Sequence, residues 1–257
     1  MRGLLLTLQQ HLSIWTFSAV FIPSVIVLHL VTFGWLLRRY GRPIPRFWAR
    51  TCLRLCGVRM KLSGYEHLDS GRPQVATFNH ASTLDAFTAW AVMPDKGLPI
   101  IKREMLYYPI LGLGMLVLDV IALDRRDKDK ARASIKAAGD RMNAEGLTVV
   151  IAPEGRRSRD NTLRPFKLGF CRIAVAAKCP VVPIVIRDAW KRWPTGRAYV
   201  TPGVLEIDVL PPVPTDDWTE DNMAEKAEML RGIYQSALGL EKPDPSADSA
   251  SLTREAS

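Results

Sequence analysis

Apolar positions fall into two patterns along the chain, and each predicts a different kind of element. From Ile14 to Leu37 the sequence is densely apolar and uncharged (IWTFSAVFIPSVIVLHLVTFGWLL). At 1.5 Å rise per residue such a helix is about 36 Å long, enough to cross a bilayer core with some tilt. It is too long and too aromatic for a signal-peptide core, and no small-residue cleavage site follows it. A buried core helix is the alternative. Pro23 removes one backbone hydrogen bond, which predicts a kink or a split into a re-entrant hairpin with Leu4–Leu12. His29 is expected to sit neutral at a helix interface. Ile44–Val58 then shows a helical period. Arg46, Arg50 and Arg54 recur at i, i+4, i+8, with Phe47, Trp48, Cys52 and Leu55 over much of the remaining surface. That pattern predicts an amphipathic helix on an anionic headgroup surface, an ordinary solvated face being the alternative.

Beyond this point short apolar runs alternate with helical patterns. Strands are predicted at Met60–Ser63, Gln74–Phe78, Pro99–Lys102, Val120–Leu123, Thr148–Ala152, Val181–Ile186 and Gly203–Leu210. Helices are predicted at Lys128–Asn143, where Ala131, Ile135, Ala138 and Met142 form an inward stripe, and at Leu168–Lys178 and Asn222–Leu238. The expected fold is α/β, a mixed central sheet flanked by helices and preceded by an N-terminal membrane-associated helical segment. The expected organisation is an anchor with its interfacial helix over residues 1–58, an α/β domain over 59–240, and a disordered tail over 241–257, which lacks apolar periodicity.

Charge sharpens the reading of the first segment. The net charge is +9, which suits an anionic partner. Before Lys61 there is no Asp or Glu, and every cation is an arginine: Arg2, Arg38, Arg39, Arg42, Arg46, Arg50, Arg54 and Arg59. A basic stripe abutting an apolar span, without a recognition motif, favours a membrane surface over nucleic acid. Cys52 and Cys56 stand one helical turn apart, and Cys171 and Cys179 complete the set. No second pair with ligand spacing makes a metal site, so reduced, packed thiols of a cytosolic domain are expected.

Four segments carry candidate chemistry. Asn79-His80-Ala81-Ser82-Thr83-Leu84-Asp85 falls where a strand ends and a helix begins. Ser82 or Thr83 can cap that helix, and the loop can fold His80 onto the Asp85 carboxylate, leaving the other ring nitrogen free to accept a proton. This is half of a serine-hydrolase triad, without a Gly-x-Ser-x-Gly elbow, which assigns the attacking oxygen to the substrate. On spacing alone, a structural histidine fits equally. Pro153-Glu154-Gly155-Arg156-Arg157-Ser158-Arg159 follows a strand, where open α/β sheets bind ligands. Its arginines can hold a phosphate around a glycine, or form a solvated basic loop. Leu123-Asp124-Arg125-Arg126 supplies a further phosphate cation or begins a loop. Phe166-Lys167-Leu168-Gly169 is a fourth candidate, or a plain helix start.

Together these segments resemble the 1-acylglycerol-3-phosphate acyltransferase family, the bacterial lysophosphatidate acyltransferases in particular. Asn79 to Asp85 matches the family's Asn-His-x-Ser-x-x-Asp block in full. Ala122-Leu123-Asp124-Arg125 resembles the second block, with Ala122 where an aromatic residue is usual. Pro153 to Ser158 resembles the Pro-Glu-Gly-Thr-Arg-Ser block, with Arg156 in place of threonine. Val182-Pro183-Ile184 resembles the fourth, and the blocks stand in family order over roughly Gly64 to Leu210. The resemblance implies that His80 is the general base and Asp85 its orienting partner. It further implies that Glu154 and Arg157, with Arg125 and Lys102, shape an acceptor-phosphate site to which Gly155 and Arg156 belong. It implies acyl-CoA or acyl-carrier protein as donor, with no metal and no other cofactor.

The expected reaction moves a fatty acyl group onto the free hydroxyl of a lysophospholipid, 1-acyl-sn-glycerol 3-phosphate giving phosphatidic acid. Backbone N–H groups near Asp85 or Gly155 are the candidate oxyanion donors. The Arg156 departure opens a different headgroup, such as that of a lyso-ornithine lipid. Two other readings stand beside this one. A lipase or thioesterase would put water or Ser82 in place of the acceptor. A non-catalytic scaffold would only bind anionic lipid. The arginine flank after Leu37, against Arg2 alone before Ile14, predicts a catalytic domain on the cytoplasmic face of the inner membrane.

Overall fold

Strands buried along their whole length sit at the centre of the fold, and those with alternating burial lie toward one edge. The computed structural model describes residues 2–35, 43–68, 71–108, 111–118, 120–123, 128–158 and 162–240. Among these, β1 (Val58–Ser63), β2 (Gln74–Phe78), β3 (Gly97–Lys102), β4 (Ile121–Leu123), β5 (Thr148–Ile151), β6 (Val181–Ile186) and β7 (Gly203–Val209) form one sheet, ordered β1-β7-β6-β2-β5-β3-β4. From β6 to β4 neighbours are parallel; β7 is antiparallel to β6 and parallel to β1. Strands β2, β5 and β6 are buried at every residue, as strands covered on both faces must be. Edge strand β1 (VRMKLS) exposes Arg59 and Lys61, which blunts the edge against further pairing.

Helices cover both faces. Alternation along β2 sends Val75 to one side and Ala76 and Phe78 to the other. On the Val75 side lie α5 (Lys128–Glu145), α6 (Gly169–Ala177) and α8 (Met223–Leu238), with Met142, Phe170 and Tyr234 fully buried. On the Phe78 side lie α2 (Pro43–Leu55), α3 (Leu84–Ala91) and α7 (Ala189–Arg192), with Leu53, Leu84 and Ile184 in the core. The remaining helices are α1 (Arg2–Val31) and α4 (Leu111–Val117), which pack on each other. The mixed α/β sheet, the strand positions and the three long C-terminal helices follow the sequence pattern closely.

The N-terminal region departs from it in two ways. Helix α1 runs unbroken through Pro23, so there is no hairpin with Leu4–Leu12. The proline lies on the exposed side, and Ser24 Oγ donates to Val20 O at 2.8 Å, so the local loss of one bond does not break the helix. Nor does α1 stand apart from the domain. Gln10 is buried, donating from Nε2 to Val200 O (2.8 Å) and Cys56 O (3.2 Å) while its Oε1 accepts Val200 N–H (3.0 Å). Further along, Trp48 Nε1 of α2 donates to Ser18 Oγ at 3.0 Å. The outward side of α1 exposes Leu8, Leu12, Trp15, Val20, Val27 and Val31, and Leu5–Val31 is long and apolar enough to cross a membrane.

The second departure concerns the arginine stripe. Arg46 donates from Nε and Nη2 to Met93 O (3.0 and 2.6 Å) and from Nη2 to Asp95 Oδ1 (2.6 Å); Arg50 Nε donates to Ala91 O (3.0 Å). Two of the three arginines read as headgroup ligands therefore face inward, onto the end of α3, and Arg54 alone is exposed. The cause is the row of unpaired carbonyls that ends any helix, which attracts cationic donors. Burial and the neighbouring Arg46 both depress the Arg50 guanidinium's pKa. Arg38, Arg39 and Arg42 lie outside the described residues, as does the tail from Glu241.

Candidate active site

Parallel neighbours β2 and β5 end on the same edge of the sheet, with Thr77 opposite Ile151. The loops that leave them therefore start side by side, and they carry His80 and Glu154. After Phe78, the Asn79 side chain continues the strand pairing: Nδ2 donates to Ile186 O (3.0 Å) and Oδ1 accepts Ile186 N–H (2.7 Å). The backbone then turns into α3, an eight-residue helix with Asp85 in its first turn. Asp85 is fully buried, and its Oδ2 accepts three N–H groups: His80 Nδ1 (2.9 Å), Ala81 N (2.7 Å) and Ser82 N (2.7 Å). Because Nδ1 donates to the carboxylate, Nε2 carries the lone pair. The His80 ring remains partly open to solvent, with 20% of the side chain exposed. Such a pair can take a proton from a hydroxyl and hold the resulting imidazolium.

Ser82 is not disposed as a nucleophile. Its buried Oγ donates to Trp193 O (2.7 Å) and accepts Leu84 N–H (3.0 Å), closing the helix start as a cap. Through Trp193, Ser82 ties the loop to residues 193–200, and Trp193 stacks on Phe87 of α3. Sequence gave no sign of this tie. An apolar cavity of about 150 Å³ opens here between α1, α2 and α3, lined by Ile14, Trp48, Phe87 and Trp193 among others. A second, of about 50 Å³, lies further along α1 between Ile22, Trp48, Trp90 and Met115.

The second loop is bonded to the first on both sides of His80. His80 N–H donates to Glu154 Oε1 (2.6 Å), and Ser158 N–H donates to His80 O (2.8 Å). Glu154 Oε2 accepts Arg164 N–H (3.0 Å) and the residue is 2% exposed. Burial pushes this carboxyl's pKa up, against the pull of its two N–H donors. Glu154, expected to help shape the acceptor-phosphate site, joins the two loops, with both oxygens occupied by backbone N–H groups. Gly155 takes φ +71°, a left-handed turn that favours glycine. Arg156 and Arg157 are exposed, and Arg157 Nη1 donates to Thr83 Oγ1 at 2.6 Å, a partner spacing alone did not suggest.

The remaining candidates lie further out. Lys102 ends β3 and lies 3.4 Å from Glu104. With β5 between β3 and β2, strand spacing puts it about 10 Å across the sheet from the His80 strand. No hydrogen bond joins it to either loop among the described residues. Arg125 lies outside them. The backbone N–H groups of Ala81, Ser82, Leu84, Gly155 and Ser158 are all bonded internally, which removes them as oxyanion donors. All four cysteines are buried and free; burial pushes Cys52 up to about 11 and Cys56, Cys171 and Cys179 up to about 12.

A family model described as Acyltransferase matches residues 59–187, from β1 to just past β6. A 1-acyl-sn-glycerol-3-phosphate acyltransferase of Limnanthes douglasii is 30% identical over 222 residues, 85% of this chain and 78% of the relative. The alpha form of that enzyme from Mus musculus is 32% identical over 180 residues, 69% of this chain and 62% of the relative. Among solved structures, the 1-acyl-sn-glycerophosphate acyltransferase PlsC of Thermotoga maritima superposes with a TM-score of 0.72 at 22% identity. That likeness covers 95% of this chain and 98% of that one, and it shows the fold.

Proposed function

This chain belongs to the acyltransferase family, and we propose that it moves a fatty acyl group from acyl-CoA or acyl-carrier protein to the free hydroxyl of 1-acyl-sn-glycerol 3-phosphate, giving phosphatidic acid. The observation that carries this reading is the His80–Asp85 pair, held at 2.9 Å with the second ring nitrogen unblocked, beside a loop of exposed arginines. The plant and mammalian relatives bear that acceptor in their names.

In the proposed mechanism His80 Nε2 takes the hydroxyl proton as the acceptor oxygen attacks the thioester carbonyl carbon. Asp85 Oδ2 stabilises the imidazolium that forms. The tetrahedral oxyanion collapses, the carbon–sulfur bond breaks, and the imidazolium returns its proton to the leaving sulfur. No cofactor enters. Arg156 and Arg157 receive the acceptor's phosphate, and guanidinium donors of Arg157 that Thr83 does not use are candidates for the oxyanion. The apolar cavities beside α3 suit a fatty chain, whose removal from water is worth about 0.8 kcal/mol per methylene. The exposed face of α1 embeds in the cytoplasmic side of the inner membrane while Gln10 keeps the helix on the domain.

The engaged Ser82 hydroxyl speaks against a hydrolase with its own nucleophile, and the intact dyad against a passive scaffold. Arg156, standing for threonine, keeps a different headgroup such as that of lyso-ornithine lipid in view as acceptor. The test is transfer of labelled acyl chains from both thioesters to a panel of lyso-lipids, with His80→Ala alongside. Phosphatidic acid should form with wild type and fall below a few per cent with His80→Ala. Undiminished transfer by the variant, or equal transfer to a neutral 1-acylglycerol, would overturn the base or the acceptor respectively.

A further inference from the structure

Lys167, in the fourth candidate segment, begins the stretch that enters α6 and has no role in the mechanism above. Its backbone N–H donates to Pro153 O at 2.8 Å, so the segment returns onto the Gly155 loop. Three residues earlier Arg164 N–H meets Glu154. The residue as a whole is exposed, and the end of its side chain lies over the Gly155 loop. A Cβ built on Gly155 would stand 3.0 Å from Lys167 Cδ and Cε and 3.2 Å from Nζ. Gly155 suits its left-handed φ, and its bare Cα lets the lysine stem lie close over the loop.

Among the described residues no carboxylate pairs with this ammonium. Glu154, one position from Gly155, has both oxygens committed to backbone N–H groups. Arg156 and Arg157 follow on the same loop. Two arginines on the loop and a lysine that reaches back over its glycine are like charges, and an anion shared among them would offset their repulsion. The loop is itself bonded to His80 at N–H and C=O, so an anion held here sits beside the proposed base.

We propose that Lys167 is a third cation of the acceptor site, its Nζ closing on the dianionic phosphomonoester of the lyso-lipid from across Gly155. The inference rests on the acceptor proposed above. Lysine contributes a point charge where Arg156 and Arg157 offer planar forks, so the three divide one phosphate without competing for the same geometry. Phosphate chemistry could also reach this loop from the donor, through the phosphopantetheine arm, and the experiment separates the two sources.

Lys167→Met keeps a straight apolar stem over Gly155 and removes the charge; Lys167→Arg restores the charge. Steady-state kinetics are measured with 1-acylglycerol 3-phosphate and with each thioester as the varied substrate. The same enzymes are assayed with neutral 1-acylglycerol, and glycerol 3-phosphate is titrated as a competitive inhibitor. Lys167→Met should raise KM for the phosphorylated acceptor and Ki for glycerol 3-phosphate by tenfold or more. It should change kcat and the thioester KM by less than twofold, and Lys167→Arg should recover most of the loss. An unchanged acceptor KM overturns the proposal, and so does a rise confined to the thioester KM. A wild-type enzyme that fails to prefer the phosphorylated over the neutral acceptor defeats the acceptor reading itself, whatever Lys167 does.

Discussion

Replacing Asp85 by asparagine should slow the reaction substantially without disabling it, because of what converges on one oxygen. Oδ2 faces three N–H groups, at 2.7, 2.7 and 2.9 Å. An amide NH2 cannot take that place, since it would confront all three donors. The asparagine oxygen must therefore occupy it. Ala81 and Ser82 then hold the oxygen in position, His80 Nδ1 keeps its acceptor, and Nε2 keeps its lone pair. What is lost is the negative charge beside the developing imidazolium. At about 4 Å and an effective dielectric of about 20, a full ion pair is worth roughly 4 kcal/mol. With half to all of that charge developed in the transition state, the loss is about 2–4 kcal/mol, or roughly 30- to 1,000-fold in kcat. This is smaller than the roughly 10⁴-fold loss that follows when an asparagine imposes the wrong tautomer on a serine-protease histidine. The assay is single-turnover acyl transfer by Asp85→Asn beside His80→Ala, with KM for both substrates. A loss equal to that of His80→Ala would refute the pinning by the two backbone donors. A loss under about threefold would refute any role of the carboxylate in charge stabilisation.

Other substitutions separate structural from substrate contacts. Glu154→Ala leaves the N–H groups of His80 and Arg164 unpaired, at about 1–3 kcal/mol each, so Tm and kcat should fall while acceptor KM holds; raised acceptor KM at constant Tm would restore the substrate contact. Arg50→Ala removes a donor from the end of α3 and should lower Tm by several degrees, at about 2–4 °C per kcal/mol for a domain of this size, without reducing flotation with anionic vesicles. Lost flotation at unchanged Tm would return Arg50 to the headgroups. The four native thiols, buried and pushed up to about 11–12, should resist maleimide in the folded protein at neutral pH. Against that silent background, a cysteine at exposed Glu225 should stay unlabelled by an impermeant reagent in intact cells, and labelling there would place the domain outside.

The sheet was legible because its central strands have little freedom to be anything else. QVATF and VVPIVI are apolar runs of strand length bounded by proline, asparagine or arginine, and both boundaries fall where the pattern puts them. The dyad was legible for a related reason: a strand end, two cap residues and a carboxylate in the first turn leave the histidine few places to go. The arginine stripe was misread because helical period shows which residues share a face and not what that face meets. Arg46 and Arg50 met carbonyls at and just past the end of α3, 47 and 41 residues further along the chain respectively. The inward turn of Glu154 was not legible because a block of sequence groups residues that a tight loop then points in opposite directions. Arg156 and Arg157 go outward, and Glu154 goes in. The bonds from Arg157 to Thr83 and from Ser82 to the Trp193 carbonyl carry no local signal at all.

The Gln10 clip also constrains how the protein is made. Its partner Val200 lies 190 residues downstream, so at about 5–20 residues per second the amide emerges roughly 10–40 s before the backbone it will bind exists. For most of that interval the Cys56 carbonyl is the one partner already made, and both Val200 groups are still missing. An amide buried without partners is costly, so the nascent helix has reason to stay at the water–lipid boundary. The residue that finally locks the anchor to the domain thus also keeps it from committing too deeply before the domain has been synthesised.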